Sequence, residues 1–381
     1  MPRKIVPFVA LAAGGAVALA VVGWYTASSS APGRVRAYYV AAEEVAWDYA
    51  PSGANAITGQ PFEGFQSVLV STAPDRIGRV YKKAIYREYT DSSFNTVKQR
   101  PAAWEHLGIL GPLLRAEVGD TIQVVFRNNA SHPYSLHPHG VIYTKSSEGA
   151  PYADGTSGAD KADDGVPPGG THVYVWPVPP RAGPAPGEGS SIIWMYHSHV
   201  EESKDVNAGL IGPMIITAKG ASRPDGTPKD VDREIVTLFG EFDENVSWYF
   251  DHNVRTYAGD STKVPRNVTF ADPAYLINLR ETINGLSFGH TPGIAMQKGE
   301  RVRWYVFANS NFEIHTPHWH GQTVIAHHMR TDMLHLMAMQ MSVADMVPDN
   351  PGVWLFHCHV APHLDAGMQA FFTVSEVVAG K

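Results

Sequence analysis

The fold is decided by a stretch that occurs twice, as Gly119-Asp-Thr-Ile-Gln-Val-Val-Phe-Arg-Asn-Asn129 and as Gly299-Glu-Arg-Val-Arg-Trp-Tyr-Val-Phe-Ala-Asn309. Each copy is an apolar, β-branched and aromatic segment between a glycine and an asparagine, which is typical of a strand bounded by turns. Short apolar runs of this kind recur along the chain, and no long segment with a helical period follows the N-terminus. The pattern predicts an all-β protein.

The repeat extends beyond this strand, so the chain contains an internal duplication. The first copy leads to Tyr134-Ser-Leu-His137-Pro-His139-Gly140 and the second to His315-Thr-Pro-His318-Trp-His320-Gly321. Further on, Tyr196-His197-Ser198-His199 is matched by Phe356-His357-Cys358-His359, and a strand follows each string. The period is too long for a solenoid repeat. We therefore predict two β-sandwich domains.

The length of 381 residues suits two such domains. We place them at residues 31–222 and 232–378, joined by a polar linker that runs from Lys219 to Asp232. At the N-terminus, Arg3-Lys4 precedes an uncharged apolar run, which predicts an export signal or a membrane anchor within residues 1–30. In either case the folded part is expected outside the cytoplasm. The net charge of -7 and the lack of a basic block argue against nucleic-acid binding.

The single cysteine lies in the string His357-Cys358-His359-Val-Ala-Pro-His363-Leu-Asp-Ala-Gly-Met368. A lone cysteine is often a small buried hydrophobe, but that interpretation leaves the surrounding histidines unexplained. A thiolate, two imidazoles and a weak thioether are the ligands of a blue-copper electron-transfer site. The first half has Tyr134, Ser198 and Leu210 where the second has His315, Cys358 and Met368, so only the second half is expected to hold blue copper.

Four His-x-His pairs accompany this string. Alternate residues of a strand face the same side, so each pair presents two imidazoles together. Eight such imidazoles can coordinate several copper ions and leave positions open for a small ligand. An exposed strand face explains one pair, but it does not explain four pairs at equivalent places in two repeats. The pairs are His137/His139, His197/His199, His318/His320 and His357/His359.

These strings together resemble the multicopper oxidases, and most closely their ceruloplasmin-like branch. Further matching segments include His106-Leu-Gly-Ile-Leu-Gly-Pro112 and Asp243-Glu-Asn-Val-Ser-Trp-Tyr249, so the resemblance covers nearly the whole chain after the N-terminal segment. The length is similar to that of the small two-domain members with blue copper in the second domain. The resemblance implies two cupredoxin-like Greek-key sandwiches. It also implies a homotrimer, in which domain 1 of one subunit faces domain 2 of the next.

The resemblance implies four copper ions per chain equivalent and assigns their ligands. Type 1 copper is assigned to His315, Cys358, His363 and the axial Met368. Type 2 copper is assigned to His137 and His318, and the type 3 pair to His139, His197, His199, His320, His357 and His359. The implied activity is oxidation of a small donor, either Fe(II), Cu(I) or a phenol, coupled to reduction of dioxygen to water.

Residues that serve protons and the donor are less well defined by the sequence. Asp154 is the candidate proton relay in an acidic loop that also contains Glu148, Asp163 and Asp164. Asp332 and Glu105 are the candidate residues for a donor metal ion. The segment 327–341 is rich in methionine and histidine, which favours Cu(I). Alternating Met337, Met339 and Met341 are nevertheless typical of one strand face that fills the core, and we favour that interpretation.

Two other functions compete with the oxidase. A copper nitrite reductase is also a trimer of two-domain chains, but it needs only one catalytic copper beside type 1 copper. An electron carrier without turnover would need only His315, Cys358, His363 and Met368. Neither alternative uses all eight paired histidines, so both account for less of the sequence than the oxidase does.

Overall fold

The structure is a computed structural model that describes residues 33–309 and 313–377. The predicted export or anchor segment at residues 1–30 lies outside these ranges. Within the described residues, no helix is both long enough and apolar enough to cross a membrane. The described helices have at most eight residues, which confirms the expectation of an all-β protein.

Eighteen strands and four α-helices are described, besides short 3-10 helices. The strands are β1 (Val35–Asp48), β2 (Val80–Tyr89), β3 (Leu114–Glu117), β4 (Thr121–Asn128), β5 (His137–Pro138), β6 (Thr171–Pro177), β7 (Ser191–His197), β8 (Ile211–Thr217), β9 (Arg233–Asp243), β10 (Leu279–Ile283), β11 (Ala295–Gln297), β12 (Val302–Ala308), β13 (Pro317–Trp319), β14 (Val324–Ala326), β15 (Met329–Thr331), β16 (Met341–Met346), β17 (Gly352–Cys358) and β18 (Gln369–Ser375). The helices are α1 (Gly64–Val70), α2 (Glu202–Ala208), α3 (Phe250–Tyr257) and α4 (Ala361–Asp365).

The first half of the chain forms two sheets with a core between them. One sheet has the order β2-β1-β4-β6 and the other the order β3-β8-β7-β5. Residues of β4 alternate between buried and half-buried positions, as expected for a strand with one face on a core. Ile122, Val124 and Phe126 supply its buried face.

The second half repeats this arrangement with sheets β10-β9-β12-β16-β14-β15 and β11-β18-β17-β13. In both halves the predicted repeat strand pairs in parallel with the first long strand, as β4 with β1 and β12 with β9. In both halves the last two strands are antiparallel, as β7 with β8 and β17 with β18. The duplication read from the sequence is therefore present in the topology.

A third core cluster joins residues of both halves. It contains Ile193 and Met195 of β7 together with Val236, Leu238 and Phe307 from β9 and β12. The sheets of the first half end at Thr217 and those of the second begin at Arg233, on either side of the predicted linker. The chain from Gly33 onward is nevertheless one compact unit, so the two domain boundaries stay a prediction.

Candidate metal centres

One site lies where β17, α4 and the segment before β13 meet. The Sγ of Cys358 lies 3.5 Å from Nδ1 of His363 and 3.9 Å from Nδ1 of His315. The two Nδ1 atoms are 3.1 Å apart. All three residues are buried, as is Met368, whose main-chain carbonyl accepts a hydrogen bond from the Cys358 N–H. The three donor atoms surround a space the size of one metal ion, so the residues fit the type 1 copper implied by their chemistry.

The environment of these donors favours a bound cation. Burial lowers the pKa of His315 to about 3, so its imidazole is neutral and offers a lone pair. Burial also raises the pKa of the Cys358 thiol. A cation is then needed to stabilise the thiolate in this apolar setting. The Thr316 N–H, 3.3 Å from Sγ, fixes the sulfur in place.

The first histidine quartet consists of His137, His139, His197 and His199. Strand pairing between β5 and β7 places His137 opposite His197. Neighbouring ring centroids are 5.0 to 5.6 Å apart. The Nε2 atoms of His139 and His197 lie only 3.1 Å apart.

The second quartet consists of His318, His320, His357 and His359 and repeats this geometry. His318 of β13 lies opposite His357 of β17. Its neighbouring ring centroids are 4.9 to 5.5 Å apart. The Nε2 atoms of His320 and His357 are 3.0 Å apart. In each quartet, therefore, one ring of each His-x-His pair meets a ring of the other pair through Nε2.

Main-chain carbonyls orient these rings. A carbonyl oxygen accepts from Nδ1 in two rings of each quartet, which leaves Nε2 with a lone pair for a metal ion. Burial is the main cause that lowers the pKa of His197 to about 3 and that of His357 to about 4, so both rings are neutral. The Nδ1 contacts are His137 to Glu148 at 2.7 Å, His197 to Ser198 at 3.1 Å, His318 to Asp332 at 2.9 Å and His357 to Cys358 at 2.8 Å.

A glycine follows the first His-x-His pair of each half, and close contacts explain it. Gly140 and Gly321 both have positive φ, at 77° and 65°. A Cβ on Gly140 would lie 2.3 Å from the Trp194 ring, and one on Gly321 would lie 2.8 Å from the Trp354 ring. Only glycine combines this backbone conformation with so close an approach to the indole.

The two quartets do not meet within the chain. Across the described ranges, no hydrogen bond or ring contact joins an imidazole of one quartet to an imidazole of the other. Two histidines of each quartet line a surface cavity. The first cavity, about 400 Å³, is bounded by His137, His139 and Tyr143. The second, about 470 Å³, is bounded by His318, His320 and Trp354.

The first half retains the frame of a type 1 site with other side chains in it. The Ser135 N–H donates to Ser198 Oγ at 3.0 Å, as the Thr316 N–H does to Cys358 Sγ. The Ser198 N–H donates to the Leu210 carbonyl at 3.1 Å, as the Cys358 N–H does to that of Met368. Asp205, five residues before Leu210, takes the place of His363 and accepts from Ser198 Oγ at 2.7 Å.

A pair of buried glutamates, which was not predicted from the sequence, lies beside the Cys358 donor set. Glu241 of β9 and Glu281 of β10 lie opposite each other, and both are buried. Their carboxylate oxygens lie within 4.8 Å of each other and of a ring nitrogen of His363. Glu313 adds a third carboxylate, with Oε2 3.8 Å from His363 Nε2. Isolated acidic residues in the apolar strands Phe239-Gly-Glu-Phe242 and Leu279-Arg-Glu-Thr-Ile283 were the available signal.

Both glutamates of this pair have raised pKa values. Burial raises the pKa of Glu241 to about 7, and burial together with the neighbouring Glu241 raises the pKa of Glu281 well above its ordinary value. One oxygen of Glu281 is buried without a hydrogen-bond partner. A buried carboxylate without a partner is costly, so this oxygen is available to a cation.

The predicted proton and donor residues occupy different places. Asp154 pairs with Lys145 at 3.1 Å and Lys161 at 2.9 Å. Hydrogen bonds from Thr156 and Lys161 lower the pKa of this carboxyl far below its usual range. Asp332 lies beside the second quartet, with Oδ2 3.9 Å from Nδ1 of His318. Glu105 is exposed in the 3-10 helix Ala102–Leu107.

The methionine-rich segment differs from the strand we expected. Met337, Met339 and Met341 do not share one strand face, because Met337 to Gln340 form a turn in which Met339 has positive φ. Met339 and Met341 pack against the core cluster between the halves, as expected of core methionines. Met337 is 62 % exposed, so core packing does not explain it.

Comparison with known proteins gives one family. Residues 88–221 and residues 258–377 each match a multicopper oxidase domain, and together they cover more than half of the chain. Rat hephaestin is 42 % identical over 347 residues, which are 90 % of this chain and 30 % of hephaestin. Rat ceruloplasmin is 42 % identical over 92 % of this chain and 32 % of its own length. The chain thus spans about a third of the length of these relatives.

Solved structures confirm the fold. The multicopper oxidase mgLAC superimposes with a TM-score of 0.57 at 19 % identity, over 91 % of this chain and 88 % of that one. The blue copper oxidase from Nitrosomonas europaea gives 0.55 at 18 % identity, over 91 % and 87 %. At this level of sequence identity, the structural similarity shows only that the fold is shared.

Proposed function

Because this chain belongs to the multicopper oxidase family, we propose that it oxidises a small donor one electron at a time and reduces dioxygen to water. The observation that carries the proposal is that the chain holds two histidine quartets of matching geometry, one in each half, in addition to the Cys358 donor set. Copper bound at these residues supplies the one-electron and oxygen chemistry. The protein supplies oriented ligands and a dry core.

The type 1 ligands are His315, Cys358, His363 and Met368. We assign type 2 copper to His137 and His318, and the type 3 pair to the remaining six paired histidines. Cys358 lies between His357 and His359 in one strand end, so its backbone connects the donor side to the oxygen side by a few covalent bonds. Four copper ions per chain equivalent follow from this assignment.

We further propose that the complete cluster forms between subunits of a homotrimer. Two histidines of each quartet line a separate surface cavity. Cyclic symmetry would let the first quartet of one chain face the second quartet of the next. The test is complementation between His139→Ala, in the first quartet, and His320→Ala, in the second. Random mixing in a three-membered ring restores about a quarter of wild-type activity, because each mixed trimer contains one intact cluster. Clusters within single chains would restore none.

The carboxylates beside His363 favour a metal ion as the donor. Glu241, Glu281 and Glu313 lie against the outer edge of the ring that would carry electrons to the type 1 site. Carboxylate oxygens suit Fe(II) better than Cu(I), which prefers sulfur. We therefore assign Fe(II) oxidation to this place, rather than to Asp332 or Glu105. Glu281→Gln should raise KM for Fe(II) about tenfold, the cost of one lost ligand interaction, and leave KM for a phenol unchanged.

Asp154 remains the proposed proton relay, and we add Asp332, which the sequence had suggested as a donor-metal residue, as a second candidate. Lys145 joins Asp154 to Glu148, whose carbonyl orients His137. Asp332 lies beside His318 in the other quartet. Asp332 thus lies next to a proposed type 2 ligand, whereas Asp154 is connected to one only through Lys145 and Glu148. Asp332→Asn should lower kcat without changing the blue absorption; an unchanged kcat would remove Asp332 from the route.

The deciding experiment is an oxygen-uptake assay of the copper-loaded protein with Fe(II), Cu(I) and a phenol, together with a nitrite reduction assay. Cys358→Ser should abolish the blue absorption. His139→Ala should retain that absorption, which shows that the second half is folded, and should stop oxygen uptake. Nitrite turnover without oxygen uptake would favour the nitrite reductase, and no turnover at all would favour the electron carrier.

A further inference from the structure

An extended segment runs beside the metal ligands of the second half. Four main-chain hydrogen bonds of 2.9 to 3.0 Å join residues 332–336 to residues 315–319 in antiparallel register. They place Leu336 opposite His315 and Met333 opposite His318. This segment is therefore the direct neighbour of a type 1 ligand and a type 2 ligand.

Methionine and histidine alternate on the outer face of this segment. Leu334 and Leu336 point inward and belong to the core. Because side chains alternate along an extended chain, Met333, His335 and Met337 point away from that core. His335 and Met337 are exposed. In the described parts of the chain, the His335 imidazole has no hydrogen bond, ion pair or ring contact.

We propose that Met333, His335 and Met337 form a soft-metal stripe that takes up a cuprous ion and passes it to His318 when the protein acquires copper. Two thioethers and an imidazole are ligands that select Cu(I), and unbranched methionine side chains adapt to its geometry. Cross-strand partners have Cβ atoms about 5 Å apart, so Met333 is within reach of His318. The ion remains Cu(I) throughout, so the transfer needs no reductant or oxidant.

The other methionines of this region differ from the stripe. Met339 and Met341 pack on the core and need no further explanation. Met329 of β15 is 66 % exposed and is as accessible as Met337. It does not belong to the segment that pairs with residues 315–319. Met329→Leu is therefore a matched control, because it removes an exposed thioether at nearly constant volume.

The test rests on the proposed function only in naming His318 as a copper ligand. Metal-free protein is given Cu(I) as its bicinchoninate complex without oxygen, and then air. The copper that reaches His318 is followed by the electron paramagnetic resonance signal of type 2 copper. The rate at which this signal appears is compared among wild type, Met329→Leu and the double variant Met333→Leu/Met337→Leu. We expect the double variant to load at least about tenfold more slowly, a loss of about 1.4 kcal/mol, and the control to match wild type. Loading from Cu(II), which does not seek thioethers, should be equal in all three. Equal loading from Cu(I) in all three would overturn the stripe.

A second measurement separates this proposal from the oxidase itself. In protein labelled at methionine methyl groups, Cu(I) should shift the resonances of Met333 and Met337 but not that of Met329. Absence of that shift would overturn the stripe even if the enzyme is active, and a shift in a protein that never turns blue would overturn the oxidase alone.

The loaded double variant should oxidise Cu(I) at the wild-type rate. Loss of that activity with normal loading would make the stripe a substrate site and refute the loading role.

Discussion

Replacing Lys83 should test how the two halves are held together. Its ammonium is completely buried, pairs with Glu244 of the second half and donates to the Asn207 carbonyl at 2.5 Å. Glu244 also accepts from Tyr49 Oη at 2.6 Å. Lys83→Met keeps the volume of the side chain but leaves a buried carboxylate with one donor fewer. Breaking a buried pair in this way costs about 3–5 kcal/mol, a large part of the 5–15 kcal/mol typical of a folded domain.

The destabilisation caused by Lys83→Met should increase with pH. Burial raises the pKa of Glu244, and removal of the ammonium raises it further. A carboxyl with a raised pKa favours the folded state below its unfolded pKa and loses that contribution as pH rises. The variant should therefore be impaired more at pH 8 than at pH 5. Adding Glu244→Gln removes the charge and keeps an acceptor for Tyr49, so the double variant should recover about 2 kcal/mol.

Urea unfolding of the metal-free protein, followed by tryptophan fluorescence, measures these differences without the contribution of bound metal. If the free energy of unfolding of Lys83→Met lies within about 1 kcal/mol of the wild-type value at pH 8, the reasoning is refuted. The Lys83 ammonium would then be solvated, or the fold would not need it. A double variant no more stable than Lys83→Met would show that the charge on Glu244 is not the source of the cost.

Three further perturbations follow from the structure. Gly321→Ala should lower the copper occupancy of the second quartet, measured by metal analysis, because its Cβ would meet Trp354. Gly299 also has positive φ but has open space around it, so the control Gly299→Ala should lower the free energy of unfolding by only about 1 kcal/mol. Burial opposes ionisation of Glu44, but hydrogen bonds from Lys82 and its neighbours lower its pKa to about 2. Its contribution is therefore fully present above about pH 4.3 and falls as pH drops through about 2. In unfolding curves, Glu44→Gln should destabilise the protein by on the order of 1 kcal/mol at pH 7 and by clearly less at pH 2. Removing copper with a chelator should lower Tm, since metal ions that bind only the folded state stabilise it.

Local pattern predicted most of the fold and of the candidate ligands. A strand period and a His-x-His spacing depend on neighbours in the chain, and both are visible in the strings around His137 and His318. Their two copies also allowed the first half to be compared with the second, which predicted that the first half lacks blue-copper ligands at Tyr134 and Ser198.

The local sequence pattern did not predict contacts between strands that are distant in the chain. Glu241 and Glu281 are 40 residues apart and meet only because β9 and β10 pair. Asp332 resembled a donor residue in the sequence, yet the pairing of residues 332–336 with 315–319 places it beside His318. The turn at Met339 also broke the expected alternation. In each case the register between segments decided the position, and register depends on tertiary packing.

The hydrogen-bond frame shared by Ser198 and Cys358 shows how such a chain can diverge after gene duplication. The main-chain contacts that support the sulfur are already made around a hydroxyl in the other copy, so they do not depend on copper. A copy can therefore lose its centre without unfolding, and the descendants of one ancestor can differ in which half keeps it. At the four positions of the proposed type 1 ligands, the first half has Tyr134, Ser198, Asp205 and Leu210. A few side-chain substitutions can thus add or remove a redox centre, while the backbone around it stays the same.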